Sequence, residues 1–440
     1  MSSASLSDVP EAAGVSRTDL RVRLSAMMFL EYAVWGAWMP ILSATLTNRG
    51  IPGTQIGTIY GIMWLACIAA PFFGGQIADR FMPGQWFLAA SHLLAAGAAW
   101  ILSLQTGAES IMLWIGIWSL LFMPTLAVTN AIAFHHIERT GGTEGERERE
   151  FAWIRTAGTI GWIAVSFLLP VFMNLTNADK TGKTGAIPEM QLAALAGVVM
   201  AIYSLLLPNT PPTARVSGET TDPLAFRKAF GLFRTVPGFT AFMIVSFIAA
   251  TEFQFYYLLS GPFLESGVFT NIPHEWVSPV KSISQWAEIV AMAILLPYFL
   301  PRKGMKWCLL LGSFAWPLRY LIFAIGQPAW LVVASLGLHG FGYAFVIVGQ
   351  QLYVDRVAPK DIRSSAQALL NLITLGLGNW LGSEFCGRVM EYFTKNGQTN
   401  WVPVFILPTA LTLICALAYL FTFRDPSTES SASGEAIPSR

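Results

Sequence analysis

The chain has 440 residues, of which 54% are hydrophobic and only 12% charged, and its mean hydropathy is +0.53. Soluble domains carry roughly 25% charged residues, so a water-soluble globule is excluded and burial in lipid is implied. A net charge of +1 gives no general electrostatic basis for binding nucleic acid.

Residues 1–23 form a polar Ser/Ala/Asp tail ending at Arg21 and Arg23, with no short apolar stretch and cleavage site before the first long run. A helix needs about 20 apolar residues to cross the hydrocarbon core. That ruler predicts spans at 24–46, 55–78, 85–104, 110–134, 151–174 and 189–207, then at 237–263, 276–300, 305–326, 328–352, 364–391 and 401–423. Between the two sets, residues 208–236 read as a cytoplasmic linker with a short surface helix around Ala225–Phe233, and 424–440 as a second tail. Six spans, a linker and six more is the layout of two repeated halves, 24–207 and 237–423.

The basic residues test this layout independently. With the N-terminus inside, the cytoplasmic segments collect Arg17, Arg21, Arg23, Arg80, Arg139, Arg147 and Arg149, then the linker, the loop Arg302–Lys306, the loop Arg356–Arg363 and the C-terminal tail. The opposite loops hold only Arg49, Lys180, Lys183 and Lys395. Both termini are therefore expected in the cytoplasm. Cys67, Cys308, Cys386 and Cys415 lie inside apolar runs with no paired spacing, which predicts neither disulfides nor a metal site.

Charge inside a membrane is expensive, so each intramembrane polar residue should face a cavity or a partner. Arg155, Thr159 and Trp162 share one face of the fifth span at i, i+4, i+7 spacing. Gln254 and Tyr257 share a face of the seventh, Gln285 and Glu288 of the eighth, and His339 and Tyr343 of the tenth. Four converging stripes would offer guanidinium, carboxylate, amide and ring faces to one ligand. Ribose hydroxyls, a base edge and a base face need that mixture. Simpler roles stand beside these. Arg155 could be a counter-ion for Glu31 or Glu288, Glu288 a packing hydrogen bonder, and His339 a cavity-lining group rather than a proton relay. His92, His135 and His136 read as interface or helix-end residues, and Lys281 and Arg319 as snorkelling or paired cations. Glu384 and Arg388 read as a local i, i+4 pair, and Glu144–Glu150 as a solvated loop or helix start.

Between spans 2 and 3, Gly75-Gln-Ile-Ala-Asp79-Arg80 resembles the major facilitator loop signature, a helix exit plus a charge pair able to lock one conformation. Further stretches narrow the likeness: Leu30-Glu31-Tyr32-Ala33-Val34-Trp35-Gly36-Ala37-Trp38, Phe122-Met123-Pro124-Thr125, and Ile154-Arg155-Thr156-Ala157-Gly158-Thr159-Ile160-Gly161. Ser282-Ile283-Ser284-Gln285-Trp286-Ala287-Glu288, Ala315-Trp316-Pro317-Leu318-Arg319 and Ile362-Arg363-Ser364-Ser365-Ala366-Gln367 complete the set. Together, from about residue 24 to 423, they resemble the nucleoside–proton symporter family of bacterial nucleoside permeases.

The resemblance implies an all-α membrane protein of twelve transmembrane helices in two pseudo-symmetric six-helix bundles. It implies import of nucleosides by alternating access and proton symport, with a uridine-like substrate, protons and the lipid bilayer as partners, no cofactor, and a monomeric carrier in the bacterial inner membrane. The family's sugar-and-base site carries over to Arg155, Thr159, Gln254, Gln285 and Glu288. Trp162 stands where better-known members have Phe, His339 where they have Tyr, Tyr343 where they have Phe and Tyr257 where they have Asn. Ala344 replaces an Asp suited to proton handling, and Glu31 replaces a Gln, so Glu31 or Glu288 is the expected proton carrier. The alternatives are a carrier for another small polar solute such as a sugar, and a nucleoside uniporter. An integral-membrane enzyme lacks support, since no metal-ligand cluster, nucleophile elbow or phosphate loop is found, and a sensor would need a sizeable soluble output domain.

Overall fold

A computed structural model describes residues 16–70, 81–212, 228–359 and 362–423. Nearly all of the described backbone is helical, and helical segments underlie the described part of each predicted span. Seven helical segments among the described residues are long and apolar enough to cross a membrane. Large apolar side chains such as Leu93, Leu94, Leu113, Phe167 and Leu168 face outward, as lipid-facing helices require.

Two helices outrun their apolar stretches, Ala108–Arg139 and Glu144–Leu175. The second starts in a capping box between Thr143 and Glu146, which satisfies its first free N–H groups. The acidic run at 144–150 is thus a helix start, and there Glu150 pairs with Arg17 at 2.6 Å and Arg21 at 3.4 Å. The expected ion pair between Glu384 and Arg388 is present at 3.3 Å.

The first predicted span is broken, contrary to expectation. Arg17–Gly36 and Leu42–Asn48 are separate helices, because Pro40 has no N–H to give and its ring blocks the preceding turn. Of the expected surface helix of the linker, 228–229 are helical and a four-residue helix follows at Leu232–Thr235; residues 213–227 lie outside the described residues. In the second half, wide π-helical turns interrupt the helices at Phe255–Leu259, Ala291–Leu295, Tyr343–Val348 and Leu372–Gly378. Such turns free backbone groups and re-aim side chains, and they recur at functional sites.

Glycines set how closely helices approach. A Cβ on Gly161 would overlap the carbonyl of Phe29, and one on Gly158 would meet the Tyr32 ring, so the first helix lies directly on Glu144–Leu175. Gly53 and Gly57, one turn apart, press on Gly387 and the Ser383 carbonyl, a small-residue contact of the kind that joins membrane helices. Gly340 lies against the Ser284 carbonyl and the backbone N of Glu288. Gly340→Ala is expected to force these helices apart at a cost of about 1–3 kcal/mol. A thermal unfolding midpoint equal to wild type in detergent would show the contact to be slack.

Candidate functional site

The two halves meet along an interior surface where several polar residues in mid-helix keep partial solvent exposure. Arg155 and Thr159 on Glu144–Leu175 do so, as do Tyr257, Glu288 and Tyr343 from the second half. A polar side chain inside a membrane protein that is neither fully packed nor lipid-facing lines a cavity.

Arg155 is positioned by the glycines beside it. With Gly158 and Gly161 letting the first helix close in, the guanidinium lies 3.9 Å over the Tyr32 ring, a cation–π contact. Its charge also interacts with Tyr343 and Glu288 from the opposite half. Glu288 in turn acts on Tyr257 and Tyr343. Arg155, Tyr32, Glu288, Tyr257 and Tyr343 therefore lie near one another across the interface. One turn beyond Thr159, Trp162 meets Trp35 edge-on at 5.7 Å, and Trp35 also meets Trp64 and Phe122. These rings form an aromatic wall in the first half.

The second half supplies another wall. Phe253 packs against His339 at 4.5 Å and Tyr257 at 5.1 Å, and His339 stacks on Tyr256 at 3.7 Å. His339 is buried, and among the described residues its Nδ1 has no hydrogen-bond partner. Gln285 is buried, its Oε1 accepting from the Ser284 hydroxyl at 2.9 Å, while Ser284 also accepts from Tyr256. Gln254 is enclosed: its Nε2 donates to Asn379 at 2.9 Å, and its Oε1 accepts from Trp64 at 3.3 Å and Ser383 at 3.2 Å. That network joins the halves at mid-depth and engages both ends of the amide.

Glu31 makes its polar contacts away from Arg155. It is fully buried within the first half, accepting from the Thr125 hydroxyl at 2.6 Å and lying 2.8 Å from His92 Nε2. His92 is therefore no interface residue, because the Gly84–Ser103 helix turns it inward onto this carboxyl. The neighbouring Tyr32 points to Arg155, so the first helix carries the carboxyl on one side and a cavity ring on the other. Ala344 is fully buried and offers no titratable group. Gly75, Asp79 and Arg80 lie outside the described residues.

Of the two roles expected for Lys281 and Arg319, snorkelling fails, because both are buried in protein. Arg319 lies 4.4 Å over Tyr320 and 4.8 Å over Tyr256. Tyr32, Trp64, Phe253, Tyr256, Asn379 and Ser383 were not foreseen as site residues. Of these only Tyr32, inside the quoted opening motif, gave any signal.

At one end of the molecule the halves are tied by polar contacts. Asn48 donates to Glu265 at 2.7 Å, and His274 lies 2.8 Å from Glu265 and 3.3 Å from the Thr45 hydroxyl, which in turn donates to Glu189. The loop before Pro188 is folded by Asp179, which accepts the N–H groups of Thr181, Lys183 and Thr184. Gly182 of that loop rests on the His274 ring. Burial alone would push the His274 imidazole down, but the hydrogen bond to Glu265 and the charges of Glu265, Glu189 and Glu275 outweigh it, so the net shift is upward. Its stabilising contribution is then complete below the ordinary imidazole value of about 6.5 and is lost as pH rises through the raised value. The unfolding free energy of His274→Gln in detergent should fall short of wild type by about 1–2 kcal/mol in slightly acid solution, with the gap closing as pH rises. A gap independent of pH would rule out a charged His274.

Comparison with known proteins agrees with this architecture. The chain is 30% identical over 428 residues to the "Putative nucleoside transporter YegT" of Escherichia coli (strain K12), covering 93% of this chain and 95% of that one. It is 27% identical to the "Nucleoside permease NupG" of the same organism, covering 92% and 96%, and 26% identical to its "Xanthosine permease", covering 92% and 96%. A crystal structure of nucleoside transporter NupG, in a point-mutant form, superposes with a TM-score of 0.82 at 26% identity, over 92% of this chain and 100% of that one. A bacterial homolog of the lysosomal transporter Spinster, at 14% identity and a TM-score of 0.68 over 96% and 99% of the two chains, shares the fold alone. The profile of the family described as "Nucleoside H+ symporter" matches residues 18–428. This multi-pass membrane protein, with its major facilitator fold, belongs to the nucleoside H+ symporter family.

Proposed function

We propose that the chain imports nucleosides across the bacterial inner membrane by alternating access, driven by proton symport. The observation that carries this reading is that Arg155 and Glu288, from opposite halves, face one interior surface within electrostatic reach of each other, with aromatic rings clustered in both halves. A planar guanidinium serves base carbonyls, a carboxylate binds ribose hydroxyls, and rings cover the base faces. In this reading Arg155, Thr159 and Trp162 hold the substrate from the first half. Tyr257, Gln285, Glu288, His339 and Tyr343 hold it from the second, joined by Gln254 once the halves part and Trp64 releases its Oε1. The substrate is uridine-like, and the wider Trp162 and more polar His339 adjust which bases fit.

The two halves, 24–207 and 237–423, are six-helix units of a twelve-span monomer, joined by a cytoplasmic linker at 208–236 and flanked by cytoplasmic tails at 1–23 and 424–440. The end carrying Asn48, Glu265 and His274 is then the outer one. Gly75, Asp79 and Arg80 act as a conformational lock on the inner side. The proton moves through Glu31 or Glu288. Labelled uridine uptake into proteoliposomes, with and without a proton gradient and in competition with purine nucleosides and sugars, tests the reading. Gradient-dependent uptake blocked by nucleosides is the expected result; inhibition by sugars alone would replace the substrate, and uptake indifferent to the gradient would make the protein a uniporter.

A further inference from the structure

The break in the first helix frees several carbonyls from their helical donors, and that of Pro40 is one of them. In an unbroken helix the Pro40 carbonyl would accept from Ala44 N–H. Here the N–H groups of Ala44 and Thr45 both go to Ile41, at 2.9 and 3.2 Å. The donor comes from the other half: Lys281 Nζ lies 2.8 Å from the Pro40 carbonyl, with a longer contact of 3.4 Å to the Tyr257 carbonyl. Lys281 is 2% exposed, and among the described residues no carboxylate pairs with it. An ammonium buried without a counter-ion is costly, so its place is set by the carbonyls it caps and by the Tyr256 ring 5.1 Å away.

The surroundings make this contact a closure. Beside it, Leu42–Asn48 packs on Ser260–Glu265, where a Cβ on Gly261 would lie 3.4 Å from Ala44 Cβ, 3.5 Å from Ser43 Oγ and 3.6 Å from the Pro40 carbonyl. Ser43 is fully buried under that contact. Farther out sit Asn48, Glu265 and His274. A path from the outer end to Arg155 and Glu288 must part these segments, and the Lys281 bond is the innermost polar tie among them.

We propose that Lys281 is the latch of the outer gate: by capping the Pro40 carbonyl at the break in the first helix, it holds the two halves together while the site faces inward, and it lets go when the site opens outward. The proposal rests on the alternating-access reading but not on the identity of the substrate. The test is the rate at which a bulky, polar maleimide labels Ser43→Cys in the purified protein in detergent, after subtracting the labelling of the parent's own four cysteines. Adding Lys281→Met should speed labelling on the order of tenfold, the factor given by a shift of about 1.4 kcal/mol in the gate equilibrium. Lys281→Gln, which keeps a donor, should label nearly as slowly as Ser43→Cys alone. Equal rates for the Met and Gln variants overturn the latch. So does failure of both Lys281→Met and Lys281→Leu to reach the membrane, since Lys281 would then be a folding residue. Labelling needs no substrate, so a failed uridine assay would count against the nucleoside reading and leave this outcome standing.

Discussion

Glu288→Gln is expected to lower nucleoside uptake by about 10- to 100-fold while leaving the amount of protein in the membrane nearly unchanged. The effect follows from where the carboxylate sits. Glu288 keeps partial exposure on the interior surface and interacts electrostatically with Arg155, Tyr257 and Tyr343, and among the described residues no side chain is hydrogen-bonded to it. Its lone pairs are therefore available to a ligand. A hydrogen bond to a charged group contributes about 1.5–3 kcal/mol, and each 1.4 kcal/mol is about a factor of ten. Gln has nearly the same shape, keeps an acceptor and needs no repacking, so folding should be spared. The loss should appear as a raised concentration for half-maximal uptake, because a ribose contact is made in the bound ground state. Uptake within twofold of wild type would remove Glu288 from the site and leave the aromatic walls to bind the substrate alone.

The layout of the chain was legible because lipid imposes a simple demand: about 20 apolar residues per crossing, with polar loops between. Helical periodicity then brought Arg155, Glu288, Tyr257 and Tyr343 into one group. Periodicity names a face but not the neighbour that face meets. Glu31 and Tyr32 are adjacent in sequence and about 100° apart on the helix, and only packing decides which looks into the cavity. Gly158 and Gly161 decide it by seating Tyr32 under Arg155, which sends Glu31 to His92 and Thr125. The inward turn of Lys281 was equally hidden. It depends on a carbonyl freed by Pro40 in a different half of the chain, and hydropathy carries no record of an unpaired carbonyl. The π-helical turns beside Gln254, Glu288 and Asn379 left no trace in composition either.

Coupling is where this chain departs most from the pattern it resembles, and Glu31→Gln should expose it. With Ala344 buried and unable to titrate, the remaining carboxyls in mid-membrane positions of the proposed path are few. Glu31 lies against His92 and Thr125 with no exposure. In a buried site little solvent screens the change of one unit charge that a proton brings. That change acts on the first helix, which carries Tyr32 under Arg155 on its other side and ends at the break held by Lys281. Proton binding at Glu31 can thus reach both the substrate group and the outer gate through one rigid element. Gln at this position can still accept from Thr125 and meet His92, so the half should fold. In Glu31→Gln, gradient-driven accumulation of uridine should be abolished, while counterflow exchange, which moves no net proton, should continue at a rate near wild type. Wild-type accumulation should rise as the external solution is acidified and the mutant's should not. Undiminished proton-driven accumulation in the mutant would eliminate Glu31 and pass the role to Glu288, the carboxyl on the interior surface beside Arg155.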